Sequence, residues 1–433
     1  MFLGLGTGEA WHKLGYSFPT WRKWQILGVF LIQISINMNA SMYANGVSYV
    51  SEEYGVSKQV SRIPQMAFLV AYGFVCELWA PWSEETLGGL STAGGSVVLG
   101  VLADMWKPDE QEYAVALWCF PALGVGGFVE EHLSLPWIFW VQLIVGRVVP
   151  AVQFVCNPET RSTILLDCEV KRRRKTGEDP NIYGPNEMRS RKMTFKEFGT
   201  IFGRLIQSRP FYIFFTELIF LWLSLLSRFS DALIFTFLQS FQPVYEQWGF
   251  GTVGISLAFI HLLLGYIFSY LSYLPSIHHL LFLAPLETIG LFGLAWTSLG
   301  PDHGVPWIAT MIFSCMVGIA NYTIYQSSID YQTAAYGPYA ASATGGNDLA
   351  RDFLGGIAAL YSAPMYENIP GRPLEYASTI LACLAILVTI PIYVEKSRFA
   401  QSLDKSRTQK KKRRKSSLMG VENYAEREHL EKA

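Results

Sequence analysis

Long apolar runs separated by shorter polar segments make up most of the chain. Most runs are close to the roughly 20 residues that a helix needs to cross the hydrocarbon core of a bilayer. Trp, Tyr, Lys and Arg stand at the ends of several runs, where such residues anchor a helix at the membrane interface. We predict eleven spans, at 24–47, 63–82, 87–103, 113–128, 135–155, 211–237, 253–274, 280–298, 307–325, 340–361 and 376–394. The pattern therefore predicts an all-α membrane protein.

Two strongly basic polar segments divide the spans into groups. Residues 157–209 contain the basic run Lys171 to Lys175, and the last segment contains the run Lys410 to Lys415. Basic loops stay on the cytoplasmic side of a membrane, so we expect both segments there. The predicted organisation is an N-terminal cytoplasmic segment, a five-span bundle, a central cytoplasmic loop, a six-span bundle and a cytoplasmic tail, at 1–23, 24–156, 157–209, 210–394 and 395–433.

The number of spans before the central loop conflicts with this topology. Arg22 and Lys23 favour a cytoplasmic N-terminus, yet five spans separate them from the central loop, and an odd number places the two on opposite sides. Either the N-terminus lies outside, or one span is re-entrant, or one span has been lost. Glu85 is followed almost at once by the apolar run that starts at Leu87, with no loop between them, and this favours the loss of a span.

Composition narrows the function classes. Of 433 residues, 51% are apolar and 16% are charged, well below the roughly 25% charged residues of soluble domains. A net charge of −1 gives no support for a nucleic-acid partner. The six cysteines form no Cys-x-x-Cys pair, so we expect no metal site or disulfide framework. No phosphate-binding loop and no nucleophile–histidine–acid order stands out, so we expect neither an enzyme nor a bound cofactor.

Ionisable residues inside the spans are candidates for function. A charge at the centre of a membrane helix costs about 2.5–3.5 kcal/mol on insertion scales, so such residues usually face a cavity and often pair. They are Glu77, Arg147, Glu217, Arg228, Asp231, Glu287, Asp330, Arg351 and Asp352. Arg228 and Asp231 are three residues apart and share a helix face. They predict either a proton-exchanging carboxylate tuned by an arginine or a structural ion pair near the outer interface.

The other candidates have comparable alternatives. Glu77 is either a protonatable carboxylate or a carboxyl bonded to a neighbouring helix. Asp330 and the Arg351–Asp352 pair flank a loop, where they form either a gate ion pair at the cytoplasmic mouth or a loop anchor. We assign several amide and aromatic side chains to a substrate cavity. Amides are costly in lipid, and aromatic rings can stack on a cationic or planar molecule. They are Asn37, Asn45, Tyr72, Tyr266, Asn321 and Tyr325; ordinary packing is the alternative for the tyrosines.

Several short motifs together give the chain a family resemblance. They lie at residues 78–84 (Leu-Trp-Ala-Pro-Trp-Ser-Glu), 102–106 (Leu-Ala-Asp-Met-Trp), 158–161 (Pro-Glu-Thr-Arg), 230–235 (Ser-Asp-Ala-Leu-Ile-Phe) and 340–343 (Ala-Ala-Ser-Ala). From about residue 24 to residue 398, the chain resembles the major facilitator superfamily. In particular, it resembles the fungal twelve-span drug:proton antiporters, a group that includes polyamine and multidrug exporters.

The resemblance implies a fold and a mechanism. The fold is two helical bundles around a central cavity, and the bundles rock about a site near the membrane midplane. The chain would export a drug, toxin, metabolite or polyamine against an inward flow of protons. Glu159 and Arg161 match the family's inner-gate motif, although helix termination after Pro158 explains them equally well. The expected partners are membrane lipids, a small-molecule substrate and protons, and we expect a monomer in the plasma membrane, with a vacuolar or other internal membrane as the alternative.

Two of the chain's departures from the family pattern lie in its first half. The Gly-Arg-Arg-type loop and the third span that usually follow the segment ending at Glu84 are absent. The family's Gly-Pro-x-x-Gly-Gly motif is also degraded. The matching residues 122–127 read Ala-Leu-Gly-Val-Gly-Gly, so Leu123 stands where the family has proline. These departures support an alternative function class, a truncated remnant that transports nothing or assembles with a full-length transporter.

Overall fold

The structure is a computed structural model, and its described residues are 35, 43, 46–85, 132, 135–156, 162–177, 218–272, 277–336 and 340–394. Within these ranges the regular structure is helical, and no strand is present. The helices before the long gap at 178–217 are α1 (Val47–Tyr54), α2 (Lys58–Ser61), α3 (Ile63–Glu85), α4 (Leu135–Cys156) and α5 (Ser162–Thr176). Gly55 ends α1 in the left-handed conformation (φ 63°), which suits glycine because it has no Cβ.

The helices after the gap form a bundle. They are α6 (Leu218–Glu246), α7 (Thr252–Ala258), α8 (Ile260–Leu271), α9 (Ile277–Leu283), α10 (Pro285–Thr297), α11 (Trp307–Tyr336), α12 (Ala340–Asn368) and α13 (Pro373–Val394). Helix α11 packs against α6, α8, α10 and α12, while α13 packs against α6 and α10. Helix α3 lies along α12, so the first part of the chain is joined to the second through this pair.

The helices agree with the predicted spans where both are described, with some differences at the ends. Four segments are long and apolar enough to cross a membrane, at 252–271, 279–297, 307–329 and 373–394. A bent pair at 221–237 and 239–246 makes a fifth if it is one span. Helices α6 and α11 extend past the predicted ends at 237 and 325. The predicted spans 87–103 and 113–128, and the junction after Glu85, lie outside the described residues, so the count of eleven stays a prediction.

Prolines leave two backbone carbonyl groups of this bundle without their usual hydrogen bond inside the helix. Proline has no N–H, so the carbonyl four residues earlier in a helix loses its usual donor. Pro364 lies inside α12 and frees the carbonyl of Leu360, which accepts a hydrogen bond from Gln59 Nε2 at 2.9 Å. Pro285 begins α10, and the carbonyl of Leu281 accepts a hydrogen bond from the Tyr393 hydroxyl. Side chains from other helices therefore satisfy both carbonyls.

Close glycine contacts bring α8 and α10 against the backbone of α11. A Cβ added at Gly265 on α8 would lie 2.6 Å from the carbonyl oxygen of Cys315. A Cβ added at Gly290 on α10 would lie 2.8 Å from the carbonyl oxygen of Phe313. Small residues allow membrane helices to approach this closely. The contacts fix which faces of α8 and α10 turn towards α11.

The apolar core of the bundle contains an aromatic column on α6. Phe237, Phe241 and Tyr245 are spaced four residues apart, as expected for one helix face. Their ring centroids are 5.0 Å and 5.3 Å apart in turn. Leu262 from α8 and Leu294 from α10 belong to the same buried cluster. This column lies between the polar residues described next and the Glu246 end of α6.

Candidate functional site

Four helices bring polar side chains together inside the second bundle. We call this group the buried polar cluster, and its members are Arg228, Ser230 and Asp231 of α6, Tyr266 of α8, Glu287 of α10 and Asn321 of α11. The predicted pair within it is in contact. Arg228 Nη1 lies 3.3 Å from Asp231 Oδ2, and the side chains are 1% and 14% exposed. The three-residue spacing on one helix places them side by side.

Asn321 joins three helices of the buried polar cluster. Its Nδ2 donates to Ser230 Oγ at 3.1 Å and to Asp231 Oδ1 at 3.3 Å. Its Oδ1 accepts a hydrogen bond from the Tyr266 hydroxyl at 2.8 Å. An amide has both donors and an acceptor, and here both kinds of group are used. Asn321 thus links Asp231 of α6 to α8 and α11.

Glu287 is a second carboxyl in the same cluster. It is completely buried, and neither carboxyl oxygen makes a hydrogen bond of normal geometry. The Ser230 hydroxyl is its nearest hydrogen-bonding neighbour, and the carboxyl of Asp231 is close enough to interact with it electrostatically. The buried polar cluster therefore contains two carboxyl groups and one guanidinium group, and the guanidinium is paired with Asp231.

The cluster lies well inside the apolar spans. Glu287 is eight residues from His279 and ten from Thr297, the ends of its span. These separations correspond to about 12 Å and 15 Å at 1.5 Å per residue. Asn321 is 14 residues from Trp307 and eight from Ile329, the ends of its own span. If these segments cross a bilayer, both residues lie far from its polar surface.

A second ion pair lies on α12 and contacts Tyr325, which is one turn of α11 beyond Asn321. Arg351 Nε donates to Asp352 Oδ1 at 3.0 Å, and Arg351 Nη1 donates to the Tyr325 hydroxyl at 3.3 Å. Asp352 is 2% exposed. The pair lies eleven residues beyond Ala340, inside α12, whereas the sequence suggested a position beside the preceding loop. Tyr325 connects this pair to the helix that carries Asn321.

A third polar group connects the two parts of the chain. We call it the cross-bundle contact, and it consists of Gln59 of α2, Arg62 between α2 and α3, Gln65 of α3, Gln239 of α6 and the carbonyl of Leu360 in α12. Arg62 Nε donates to Gln239 Oε1 at 3.2 Å, and Gln239 Nε2 donates to Gln65 Oε1 at 3.4 Å. The sequence contained a signal for it, because the polar residues recur every three positions where an apolar run begins.

The remaining predicted site residues fall into three groups. Tyr72 is half-buried on α3 and stacks on Phe68, with ring centroids 6.3 Å apart. Glu77 and Asp330 lie on α3 and α11, but their side chains are outside the described part of the structure. Four others lie outside the described residues altogether, namely Asn37, Asn45, Glu159 and Arg161. The roles predicted for these residues stay predictions.

Helix α5 carries the basic run of the predicted central loop. Glu169 accepts hydrogen bonds from Arg172 at 2.8 Å and 2.7 Å and from Arg173 at 2.9 Å. These hydrogen bonds lower the pKa of Glu169 to about 2. Most of the basic side chains on this helix are exposed. Among the described residues, no group of three or more His, Cys, Asp or Glu could hold a metal ion.

Known proteins resemble the chain in sequence and in fold. No protein-family model matches it. The MFS-type transporter paaT of Penicillium rubens is 26% identical over 408 residues, which cover 79% of this chain and 72% of that protein. The citrinin biosynthesis cluster MFS transporter mrr1 of Monascus ruber is 23% identical, with 88% and 87% covered. The crystal structure of the human organic anion transporter MFSD10 (TETRAN) has a TM-score of 0.51 at 13% identity, with 85% and 98% covered.

Proposed function

We propose that this chain, which belongs to the major facilitator superfamily, is a secondary transporter that exports small organic molecules in exchange for protons. The fungal MFS-type relatives confirm the predicted superfamily, and the matching transporter fold confirms the predicted all-α membrane fold. They also support a membrane transporter. Proton exchange, outward direction and the class of cargo are our proposal.

The buried polar cluster is the observation that carries the proposal. Charged groups inside a membrane protein are costly and mark the paths of ions and substrates. Arg228 and Asp231 lie among apolar helices, and Asn321 links them to two further helices. A proton on a carboxyl of this cluster changes its net charge and so changes how strongly the helices hold one another. This gives proton binding a way to act on helix packing.

The cross-bundle contact supports alternating access. It consists of hydrogen bonds at one end of the paired helices α3, α6 and α12. Hydrogen bonds between neutral groups contribute about 0.5–1.5 kcal/mol each, and one from the charged Arg62 contributes about 1.5–3 kcal/mol, so these bonds can be exchanged for others of similar strength. We propose that they close this end of the central cavity in one state and separate in the other.

The class of cargo is a small organic molecule, and secondary metabolites are its first candidates. The name of the Monascus relative places that protein in a biosynthesis cluster, and we extend this class to the present chain. Tyr266 of the buried polar cluster and the neighbouring Tyr322 have ring centroids 5.6 Å apart. Such rings can stack on a planar or cationic cargo. Drugs, toxins and polyamines are tested beside metabolites.

Transport by the purified full-length chain in liposomes tests the proposal. A pH gradient is imposed, and accumulation of a panel of radiolabelled metabolites, drugs and polyamines is followed with and without a protonophore. We expect at least one compound to accumulate and protons to move in the opposite direction. The protonophore should abolish this accumulation. Equal accumulation with and without the gradient would refute proton exchange.

The sequence after Glu85 favours a second candidate, a non-transporting remnant. In a liposome assay this remnant would move nothing, whereas a version with a loop and span inserted after Glu85 would transport. A fluorescent fusion separates the two candidates in cells. Stable signal at the plasma membrane supports an exporter, while retention in the endoplasmic reticulum with rapid turnover supports the remnant.

A further inference from the structure

We infer that Glu287 is a proton-binding site and that its carboxyl carries a proton in the arrangement seen here. Only the role of this site, which is to couple proton binding to cargo transport, rests on the proposed function. Its chemical basis is the geometry of the buried polar cluster. Among the sequence-based predictions, Glu287 has no role beyond membership of the ionisable residues inside the spans.

The charge balance of the cluster is the first step. An ionised carboxyl in a water-excluded site needs a cation or several hydrogen bonds, because its desolvation is very costly. Glu287 is fully buried and makes no hydrogen bond of normal geometry. The guanidinium of Arg228 is paired with Asp231. An ionised Glu287 would therefore add a negative charge beside Asp231 without a cation of its own.

The surroundings of α10 contain few groups that could change this balance. Helix α10 packs against α9, α11 and α13. The titratable side chains described on these helices are His279, Cys315, Tyr322, Tyr325, Glu375, Tyr376, Cys383 and Tyr393. Across the cluster, α6 adds Arg228 and Asp231, and of all these groups Asp231 acts electrostatically on Glu287. Within the described part of the chain, two carboxyls thus share one site, and like charges so close are rarely both ionised.

The packing explains how the proton is coupled to helix movement. Gly290 lies three residues beyond Glu287 and brings α10 against the backbone of α11 at Phe313. A neutral Glu287 is compatible with this close packing. When the proton leaves, the carboxylate attracts hydroxyl and amide donors, and those of Ser230 and Asn321 belong to the same cluster. Asn321 then donates less strongly to Asp231, and the link between α6 and α11 loosens.

Chemical labelling of the wild-type protein tests the protonation directly. Dicyclohexylcarbodiimide is apolar and adds to protonated carboxyl groups in apolar sites without a leaving group. We expect mass spectrometry to find the adduct on Glu287 in acidic and neutral buffer, with labelling that falls in alkaline buffer. Glu287→Gln should abolish this adduct. Absence of the adduct at every pH would overturn the inference.

Transport assays with Glu287→Gln form the second arm, because glutamine keeps the shape but binds no proton. We expect exchange of labelled for unlabelled cargo to continue, while accumulation driven by a pH gradient falls to the level seen without a gradient. Glu375→Gln is the matched control, since Glu375 is buried near the start of α13 and outside the cluster. It should accumulate cargo like the wild type.

The two arms distinguish the failure of this inference from the failure of the proposed function. If the wild type accumulates cargo with the gradient and Glu287→Gln does so equally, Glu287 is not the proton site, although the exporter stands. If the wild type moves no cargo but Glu287 shows pH-dependent labelling, the proton site stands and the exporter does not.

Discussion

Replacing Gly265 by alanine tests the close approach of α8 and α11. The added Cβ would lie 2.6 Å from the carbonyl oxygen of Cys315 and 3.1 Å from the nitrogen of Ile319. Favourable C···O contacts begin near 3.3 Å, so the two helices must separate locally by about 0.7 Å. The obstacle is backbone, which cannot rotate away as a side chain can. The strain therefore has to be accommodated by helix movement.

This movement has a consequence at the buried polar cluster. Tyr266 follows Gly265 directly, and its hydroxyl donates to Asn321 at 2.8 Å. A separation of about 0.7 Å would bring this bond to about 3.5 Å, beyond the usual range for hydrogen bonds. Overpacking typically costs about 1–3 kcal/mol, while replacing a helix glycine by alanine gains up to about 1 kcal/mol. We expect a net loss of up to about 2 kcal/mol in the free energy of unfolding.

Gly146→Ala on α4 is the matched control. A Cβ at Gly146 would meet nothing within 4 Å, so this variant gains helix propensity without a steric cost. Unfolding by sodium dodecyl sulfate in mixed micelles, followed by circular dichroism, gives the free energy of unfolding of both variants. We expect Gly265→Ala to be less stable than Gly146→Ala by about 1–3 kcal/mol. Equal stabilities would refute the close approach of the two helices.

Three further predictions concern the other polar groups. Asn321→Leu should lower the free energy of unfolding by about 1–3 kcal/mol, because it removes the acceptor of the Tyr266 hydroxyl inside the bundle; an unchanged denaturation midpoint would contradict this. A double-mutant cycle with Arg62→Leu and Gln239→Leu should give a coupling energy of about 1–3 kcal/mol, and strictly additive effects would argue against the cross-bundle contact. Glu169 has a folded-state pKa near 2, below its ordinary value of 4.5, so its contribution to stability should be complete above pH 4.5 and disappear as the pH falls towards 2. A carboxyl NMR titration that compares the wild type with Glu169→Gln checks this, and a pKa near 4.5 would refute the arginine contacts.

Local patterns made some of these features predictable. The apolar runs at 63–82 and 135–155 correspond to α3 and α4, because hydrophobic length is a property of the sequence alone. The spacing of Arg228 and Asp231 predicts a shared helix face, and the two side chains are in contact. In each case the partners are close along the chain, so helix geometry is sufficient.

Other features depend on contacts between distant parts of the chain. Glu287 meets Ser230 and Asp231 because α10 and α6 both approach α11, and small residues such as Gly290 allow that approach. The hydrogen bond from Gln59 to Leu360 joins residues 301 positions apart. Hydrophobic periodicity does not specify which helix faces meet. Such contacts need the three-dimensional packing.

The carbonyl of Leu360 accepts a hydrogen bond that does not depend on the Leu360 side chain. Gln59 binds the backbone at position 360, so the side chain there can change without loss of the bond. The acceptor exists because Pro364, four residues further along α12, supplies no N–H. Sequence constraint should therefore fall on positions 59 and 364, while position 360 remains open to any side chain that suits its surroundings. A search for covarying positions between the two parts of the chain would find 59 paired with 364, although these two side chains need not touch.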